Sequence, residues 1–132
     1  MPQLSEQHRK FLSEPHHGIV TTLRSDGSPH STVVWVDVDD DGVSYNTQAG
    51  RVKADNVERD ARVALLVIDA ADPYRWIAVD GPVEVTTDGA RDQIDRLAQK
   101  YTGADRFGGH VPDQDRLSVR IRPAHVTAKG LN

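Results

Sequence analysis

The sequence predicts a mainly β protein in which about seven short strands form a closed or nearly closed β-barrel, with two or three helices beside it. Short segments rich in β-branched residues recur along most of the chain, and tight-turn signals separate them. Few segments show the apolar spacing or the charged, strand-poor composition of a helix. A chain of 132 residues can bury one core but not two, so residues 1–132 are expected to form a single domain.

The first third of the chain predicts a helix followed by a β-hairpin. Residues 4–14 have apolar side chains at helical spacing, and Pro15 ends the helix because it biases the preceding residue towards an extended conformation. The hairpin has strands at residues 18–23 and 30–38, joined by a turn at Asp26-Gly27. The second strand alternates in pattern, and its expected core face carries Thr32, Val34, Val36 and Val38.

The middle of the chain predicts a second hairpin and a short helix. An acidic turn at residues 39–42 leads into a strand at 43–47, and a charged helix follows at 51–59. The carboxylates of the turn do not have the spacing of an EF-hand, so we expect a solvated turn and no metal site. Residues 63–68 form a strand without polar alternation, which predicts cover on both faces, the second from the amino-terminal helix or another subunit.

The last third predicts a bent strand, a helix and two final strands. Residues 74–86 read as one long strand with a bend at Gly81-Pro82. Thr87 or Asp88 is expected to cap a helix that ends at Thr102-Gly103. Residues 103–114 are rich in glycine and predict a loop that is a candidate flap over a site. The predicted final strands are 117–122 and 125–128.

Composition and charge exclude several classes of function. The chain has no cysteine, so it can form no disulfide or thiolate metal site, and redox chemistry would need a cofactor. A net charge of −4 disfavours broad nucleic-acid binding. The longest apolar run has six residues, too few to span a membrane, and the amino terminus lacks a secretory apolar region, so we expect a cytoplasmic protein.

The segment from Tyr45 to Asn56 carries the best candidate binding site. It joins a predicted strand to a predicted helix through a turn of small residues, with Gly50, Arg51 and Lys53 at the junction. Unpaired N–H groups of the first helical turn and two nearby cations suit a phosphate. Spacing alone slightly favours a second interpretation, in which both cations are solvated side chains on a helix surface.

Four blocks of sequence, in the same order as in a known superfamily, add weight to the phosphate interpretation. The blocks are TTLRSDGSPHSTVVWV, YNTQAGRVKADN, RDARVALLV and PYRWIAVDGPVEV, and KYTG follows at residues 100–103. In these blocks the chain resembles the split β-barrel flavin and deazaflavin oxidoreductases that include pyridoxamine 5′-phosphate oxidase. The resemblance implies a split β-barrel homodimer with the cofactor at the subunit interface.

The resemblance implies a role for each of several residues. Arg51 and Lys53 would bind the cofactor phosphate, Thr47 and Gly50 would add polar and backbone contacts, and Asn56 would reach the outer tail. The ring would lie along a strand segment, and the partner subunit would add two aromatic contacts. The ring-side residues are Val33, Val34 and Trp35, and those expected from the partner are Tyr74 and Trp76.

The same blocks are most similar to the actinobacterial branch that uses coenzyme F420, which implies hydride transfer to an unsaturated small molecule. One alternative is an FMN-dependent oxidase or reductase of the same fold, and another is a non-catalytic F420 carrier or a haem binder. The sequence identifies no catalytic residue. His30 is a candidate proton donor, although an exposed histidine at a strand end is the simpler interpretation.

Overall fold

A computed structural model describes residues 3–109 and 115–131 of the chain. Within these residues the protein is mainly β, as predicted, with nine strands and three helices. Their bounds are α1 Glu6–Ser13, β1 His17–Leu23, β2 Pro29–Val34, β3 Val36–Asp39, β4 Gly42–Gln48, α2 Val52–Arg59, β5 Val63–Ile68, β6 Trp76–Gly81, β7 Val83–Thr86, α3 Ala90–Thr102, β8 Arg116–Ile121 and β9 His125–Lys129.

The strands form two antiparallel sheets, and the chain crosses between them four times within the described residues. The larger sheet has the order β2-β1-β5-β6-β9, and the smaller has the order β3-β4-β8-β7. The predicted strand 30–38 is therefore two strands, which separate at Trp35. The predicted strand 74–86 is also two strands, which separate at Pro82, and it begins only at Trp76. No side chain fits at Gly81, because a Cβ atom there would overlap the backbone of Arg122.

The core lies between the two sheets and is closed at one end by α1. Val34 and Val36 point into it from the first crossing, which confirms the predicted inner face of that segment. Phe11 and Leu12 of α1 are also buried. Ser5 caps α1 by accepting a hydrogen bond from the His8 N–H group, and this places the start of the helix one residue beyond the cap.

The structure excludes the amino-terminal helix as the second cover predicted for β5, because one face of the strand is exposed in the single chain. Val63, Leu65 and Val67 point into the core, whereas Ala64 and Leu66 are exposed. Helix α1 packs against β3 and leaves this outer face open. In the single chain, burial therefore alternates along β5 although every residue of the strand is apolar. Of the two proposed covers, a second subunit is the one that stays a prediction.

Two boundaries in the last third also differ from the sequence prediction. Helix α3 begins at Ala90, with Gly89 at the cap position and no side-chain capping bond. Asp88 instead donates its backbone N–H to Thr86 Oγ1, so the expected capping residues lie in a turn. The predicted flap 103–114 falls partly outside the described residues. In the described part of the chain, no helix combines the length and the apolar character needed to cross a bilayer.

Candidate functional site

A cleft of about 200 Å³ lies where the first crossing between the sheets meets the end of β4 and the start of α2. It brings together six residues that the resemblance had singled out, namely Val33, Val34, Trp35, Thr47, Arg51 and Lys53. It also contains five that sequence reasoning missed, namely Asn46, Gln48, Ile94, Phe107 and Arg116.

One end of the cleft is a cluster of three cations, Arg51, Lys53 and Arg116. None of the three forms an ion pair with a carboxylate in the part of the chain that the structure describes. Burial lowers the pKa of Lys53, and repulsion by Arg51 and Arg116 lowers it further. Burial likewise lowers the pKa of Arg116, with added repulsion from Arg51 and Arg91. The cluster is therefore suited to a bound anion, which would relieve this repulsion.

Hydrogen-bond donors surround the same cations. The hydroxyl of Thr47 is buried and has no protein partner among the described residues. Gly50 adopts a positive φ of 89°, which turns the chain from β4 into α2. Arg51 occupies the cap position of α2 without a side-chain capping bond, so the first N–H groups of the helix have no such acceptor. A phosphate or carboxylate would find both charge and donors here.

Arg116 is held in place by a chain of buried amides. Its Nε–H donates to Asn46 Oδ1 at 2.8 Å. The Asn46 amide in turn donates to Gln93 Oε1 at 2.9 Å and to the Ala90 carbonyl at 2.7 Å. Gln93 donates to Ser44 Oγ at 3.0 Å. These contacts hold Arg116, only 9% exposed, at the cleft, and its Nε contact leaves the other guanidinium N–H groups available to a ligand.

The other end of the cleft is aromatic and apolar. The ring of Trp35 stacks on that of Tyr101, with centroids 5.4 Å apart and planes 8° apart. Phe107 meets Trp35 edge-on at 5.9 Å and lies below the Arg116 guanidinium at 5.1 Å. Val33 adds an apolar side chain that is 65% exposed. The cleft thus offers a flat apolar wall and an anion site, as a planar ligand with a charged tail requires.

Four of the predicted residues do not line this cleft. Gly50 lies in the turn beside it. Asn56 is buried away from it, where its amide donates to Thr22 Oγ1 at 3.0 Å and its oxygen accepts from Arg59 at 2.9 Å. These contacts hold the buried Asn56 side chain between β1 and the end of α2, so its contact with a cofactor tail stays a prediction. Tyr74 is exposed in a turn and Trp76 opens β6, so contacts from these two would have to reach a second subunit.

The missed residues come from parts of the chain that only tertiary structure brings together. Arg116 opens β8, which lies beside β4 in a register that pairs it with Gln48. Ile94 comes from α3 and Phe107 from the loop that follows it. The candidate proton donor His30 does not line the cleft. Within residues 3–109 and 115–131, no group of three histidine, aspartate or glutamate side chains could hold a metal ion.

Comparison with known proteins assigns the fold and the family. The profile of the pyridoxamine 5′-phosphate oxidase family matches residues 4–130. The chain belongs to the pyridoxamine 5′-phosphate oxidase family. The resemblance seen in the sequence blocks is thereby confirmed, and so is the mainly β split-barrel fold class.

Two of the proteins to which this chain is similar are named for coenzyme F420. The F420H(2)-dependent biliverdin reductase of Mycobacterium tuberculosis is 36% identical over 103 residues, which cover 75% of this chain and 73% of the relative. A solved structure named F420 Reductase has a TM-score of 0.77 at 28% identity, covering 96% of this chain and 98% of that one. The conserved hypothetical protein Rv2991 of M. tuberculosis, with a TM-score of 0.76 at 23% identity over 100% and 91% of the chains, shows the same fold.

Proposed function

We propose that this protein is an oxidoreductase that uses coenzyme F420 and transfers a hydride between the reduced cofactor and an unsaturated small molecule. The relative and the solved structure named for F420 support the choice of cofactor. The observation that carries the proposal is the pairing, in one cleft, of a flat aromatic wall and three cations that have no carboxylate partner among the described residues. That pairing matches a tricyclic ring linked to a phosphate.

The residues of the cleft divide the work of holding the cofactor. Arg51, Lys53 and Arg116 would bind the phosphate. The Thr47 hydroxyl, which has no partner among the described residues, would donate to one of its oxygens. The segment from Val33 to Trp35 would lie along the ring. When bound, F420 supplies hydride chemistry at the ring carbon that replaces N5 of a flavin. The chain's own contribution is to orient the ring and to exclude water from it.

We further propose that the active form is a homodimer, with the outer face of the larger sheet as its interface. The strand register places Val33, Ile19, Leu66 and Ala78 in one row across four strands of that face. Leu66 is 36% exposed in the single chain, and a mostly apolar groove of about 640 Å³ lies on the same sheet. Burying such a row against a copy of itself would remove apolar surface from water.

This interface would also complete the cofactor site. Val33 belongs both to the apolar row and to the cleft, so a second chain on this face would lie beside the cleft. Trp76 faces the same side of the sheet, where it pairs with Ile68. The partner subunit's Trp76 and the partner subunit's Tyr74 would then contact the cofactor, as the resemblance implies. A Leu66→Lys variant should sediment as a monomer and bind cofactor more weakly than the wild-type dimer. A wild-type monomer that binds cofactor tightly would contradict the dimer.

Equilibrium titration with F420 and with FMN tests the choice of cofactor. Purified protein should bind F420 more tightly than FMN when binding is followed by cofactor fluorescence, and the reduced complex should lose its hydride to an unsaturated acceptor. Tight FMN binding without F420 binding would favour the FMN-dependent enzyme instead. Tight F420 binding without turnover over a broad acceptor panel would favour a carrier, and haem binding alone would favour the haem protein.

A further inference from the structure

Two residues of the KYTG stretch, residues 100–103, hydrogen-bond to the chain where it first passes from the larger sheet to the smaller one, between β2 and β3. Val36 is the first residue of β3, an edge strand of the smaller sheet. Tyr101 Oη accepts a hydrogen bond from the Val36 N–H at 3.0 Å, and Lys100 Nζ donates to the Val36 carbonyl at 2.6 Å. Two neighbouring side chains of α3 therefore hold both polar backbone groups of one residue.

The same two side chains also bond to the segments that precede the sheets. Tyr101 Oη donates to the carbonyl of His16 at 2.6 Å, just before β1, and Lys100 Nζ donates to the carbonyl of Leu12 at 2.7 Å, in α1. The Tyr101 hydroxyl uses its one proton and one lone pair in these contacts, which fixes its orientation. Lys100 and Tyr101 thus join α1, β1 and β3 at a single place.

This place is also the back of the aromatic wall of the cleft. Trp35 precedes Val36, belongs to neither strand, and lies with its ring parallel to that of Tyr101. The Lys100 ammonium lies 5.1 Å from the centroid of the Tyr101 ring. Burial lowers the pKa of Lys100 to about 8, in keeping with its enclosed position. Trp35 thus has its backbone anchored through Val36 and its ring supported by Tyr101.

We propose that Tyr101, supported by Lys100, is a positioning residue that sets Trp35 and the ring-side strand for the planar part of the cofactor. This inference rests on the proposed function, because it assigns the wall to a tricyclic ring. Tyr101 does not line the cleft and would act through Trp35. We expect it to act on the ring end alone, because in the described part of the chain neither Tyr101 nor Lys100 hydrogen-bonds to a cation of the anion site.

The variant Tyr101→Phe removes the hydroxyl and keeps the ring that stacks on Trp35. The matched control is Tyr45→Phe, because the Tyr45 hydroxyl is buried in the core and has no partner among the described residues. Each variant and the wild type are titrated with F420, with FMN, with riboflavin as a ring without phosphate, and with inorganic phosphate. Loss of two hydrogen bonds in Tyr101→Phe should weaken F420, FMN and riboflavin about tenfold. Inorganic phosphate should bind to Tyr101→Phe with an affinity within about twofold of the wild-type value. All four ligands should bind to Tyr45→Phe within about twofold of their wild-type affinities.

A second measurement reports on Trp35 without any ligand. The chain has two tryptophans, so Trp76→Phe leaves Trp35 as the only indole. In that background Tyr101→Phe should raise the constant for acrylamide quenching of Trp35 fluorescence by about twofold. Tyr101→Leu should raise it further, because the stacked ring is lost as well. Tyr45→Phe should leave the quenching unchanged.

The possible outcomes separate this inference from the proposed function. A wild-type protein that binds neither F420 nor FMN refutes the proposed function, whatever the quenching shows. Tight wild-type binding with equal affinity in Tyr101→Phe refutes the positioning role alone. If Tyr101→Phe loses affinity for inorganic phosphate and for the ring ligands equally, the positioning role is also refuted, because the variant would then have lost structure in general. A loss of affinity for the ring ligands alone, together with stronger acrylamide quenching of Trp35, supports the positioning role.

Discussion

Removal of Arg51 gives a clean perturbation of the anion site. Arg51 is exposed at the start of α2 and makes no side-chain hydrogen bond or ion pair within the described residues, so the free fold does not depend on it. Burial is the main cause of the lowered pKa of Lys53 and of Arg116, and repulsion by Arg51 lowers both further. In the free protein, Arg51→Ala should therefore relieve repulsion, raise the pKa of Lys53 and leave stability equal or slightly higher.

The bound state should respond in the opposite direction. A charge-assisted hydrogen bond from Arg51 to a phosphate oxygen contributes about 1.5–3 kcal/mol. Since every 1.4 kcal/mol is a factor of ten, the Kd of Arg51→Ala for F420 should rise about 10- to 150-fold. Binding by the wild type should also weaken as salt is added, and this dependence should be smaller in the variant.

Fluorescence titration gives the affinities, and urea unfolding of the free protein gives the stabilities. Lys10→Ala is the matched control, because it removes one positive charge from the last turn of α1, away from the cleft. It should bind F420 as the wild type does. An Arg51→Ala variant with unchanged affinity would refute the assignment of the anion site. A parallel loss of stability and affinity would refute the view that Arg51 serves the ligand alone.

Three further predictions test other parts of the account. Asn46→Asp places a carboxylate beside Arg116, so it should weaken F420 binding at least about tenfold by ion pairing, and titration at two salt concentrations checks this. Asn56→Ala should lower the free energy of unfolding in urea by about 1–3 kcal/mol, because Thr22 loses a buried partner, yet leave F420 affinity unchanged. Burial lowers the pKa of Lys100 to about 8 in the folded protein, against an ordinary value of 10.5. Between pH 8 and 10.5 the Lys100 amine is therefore protonated in more of the unfolded chains than of the folded ones. Stability of the wild type relative to Lys100→Met should therefore rise from pH 8 to 10.5 in urea titrations.

Local signals predicted most of the secondary structure. The Asp26-Gly27 turn, the alternating core face around Val34, and the glycine-proline bend at residues 81–82 each arise from a few neighbouring residues. Such signals act through turn geometry and side-chain direction, which the sequence contains directly. The break at Trp35 has no glycine or proline that would have predicted it. The hydroxyl of Tyr101, far along the chain, accepts a hydrogen bond from the first residue of β3 at this break.

The candidate site depends still more on distant residues. Arg51 and Lys53 could be picked out because a glycine and a predicted helix start adjoin them. Arg116 could not, because only the pairing of β8 with β4 brings it to the cleft. The resemblance implies that Asn56 reaches the cofactor tail, and in the single chain the packing of α2 places its amide against Thr22. Sequence spacing gives the separation along a helix, whereas its neighbours in the fold decide which side is buried.

A crystal structure of the complex with F420 tests the central claim most directly. We expect the phosphate within hydrogen-bonding distance of Arg51, Lys53 and Arg116, and the ring along the segment from Val33 to Trp35. A phosphate bound elsewhere, or a ring lying away from this segment, would contradict the account.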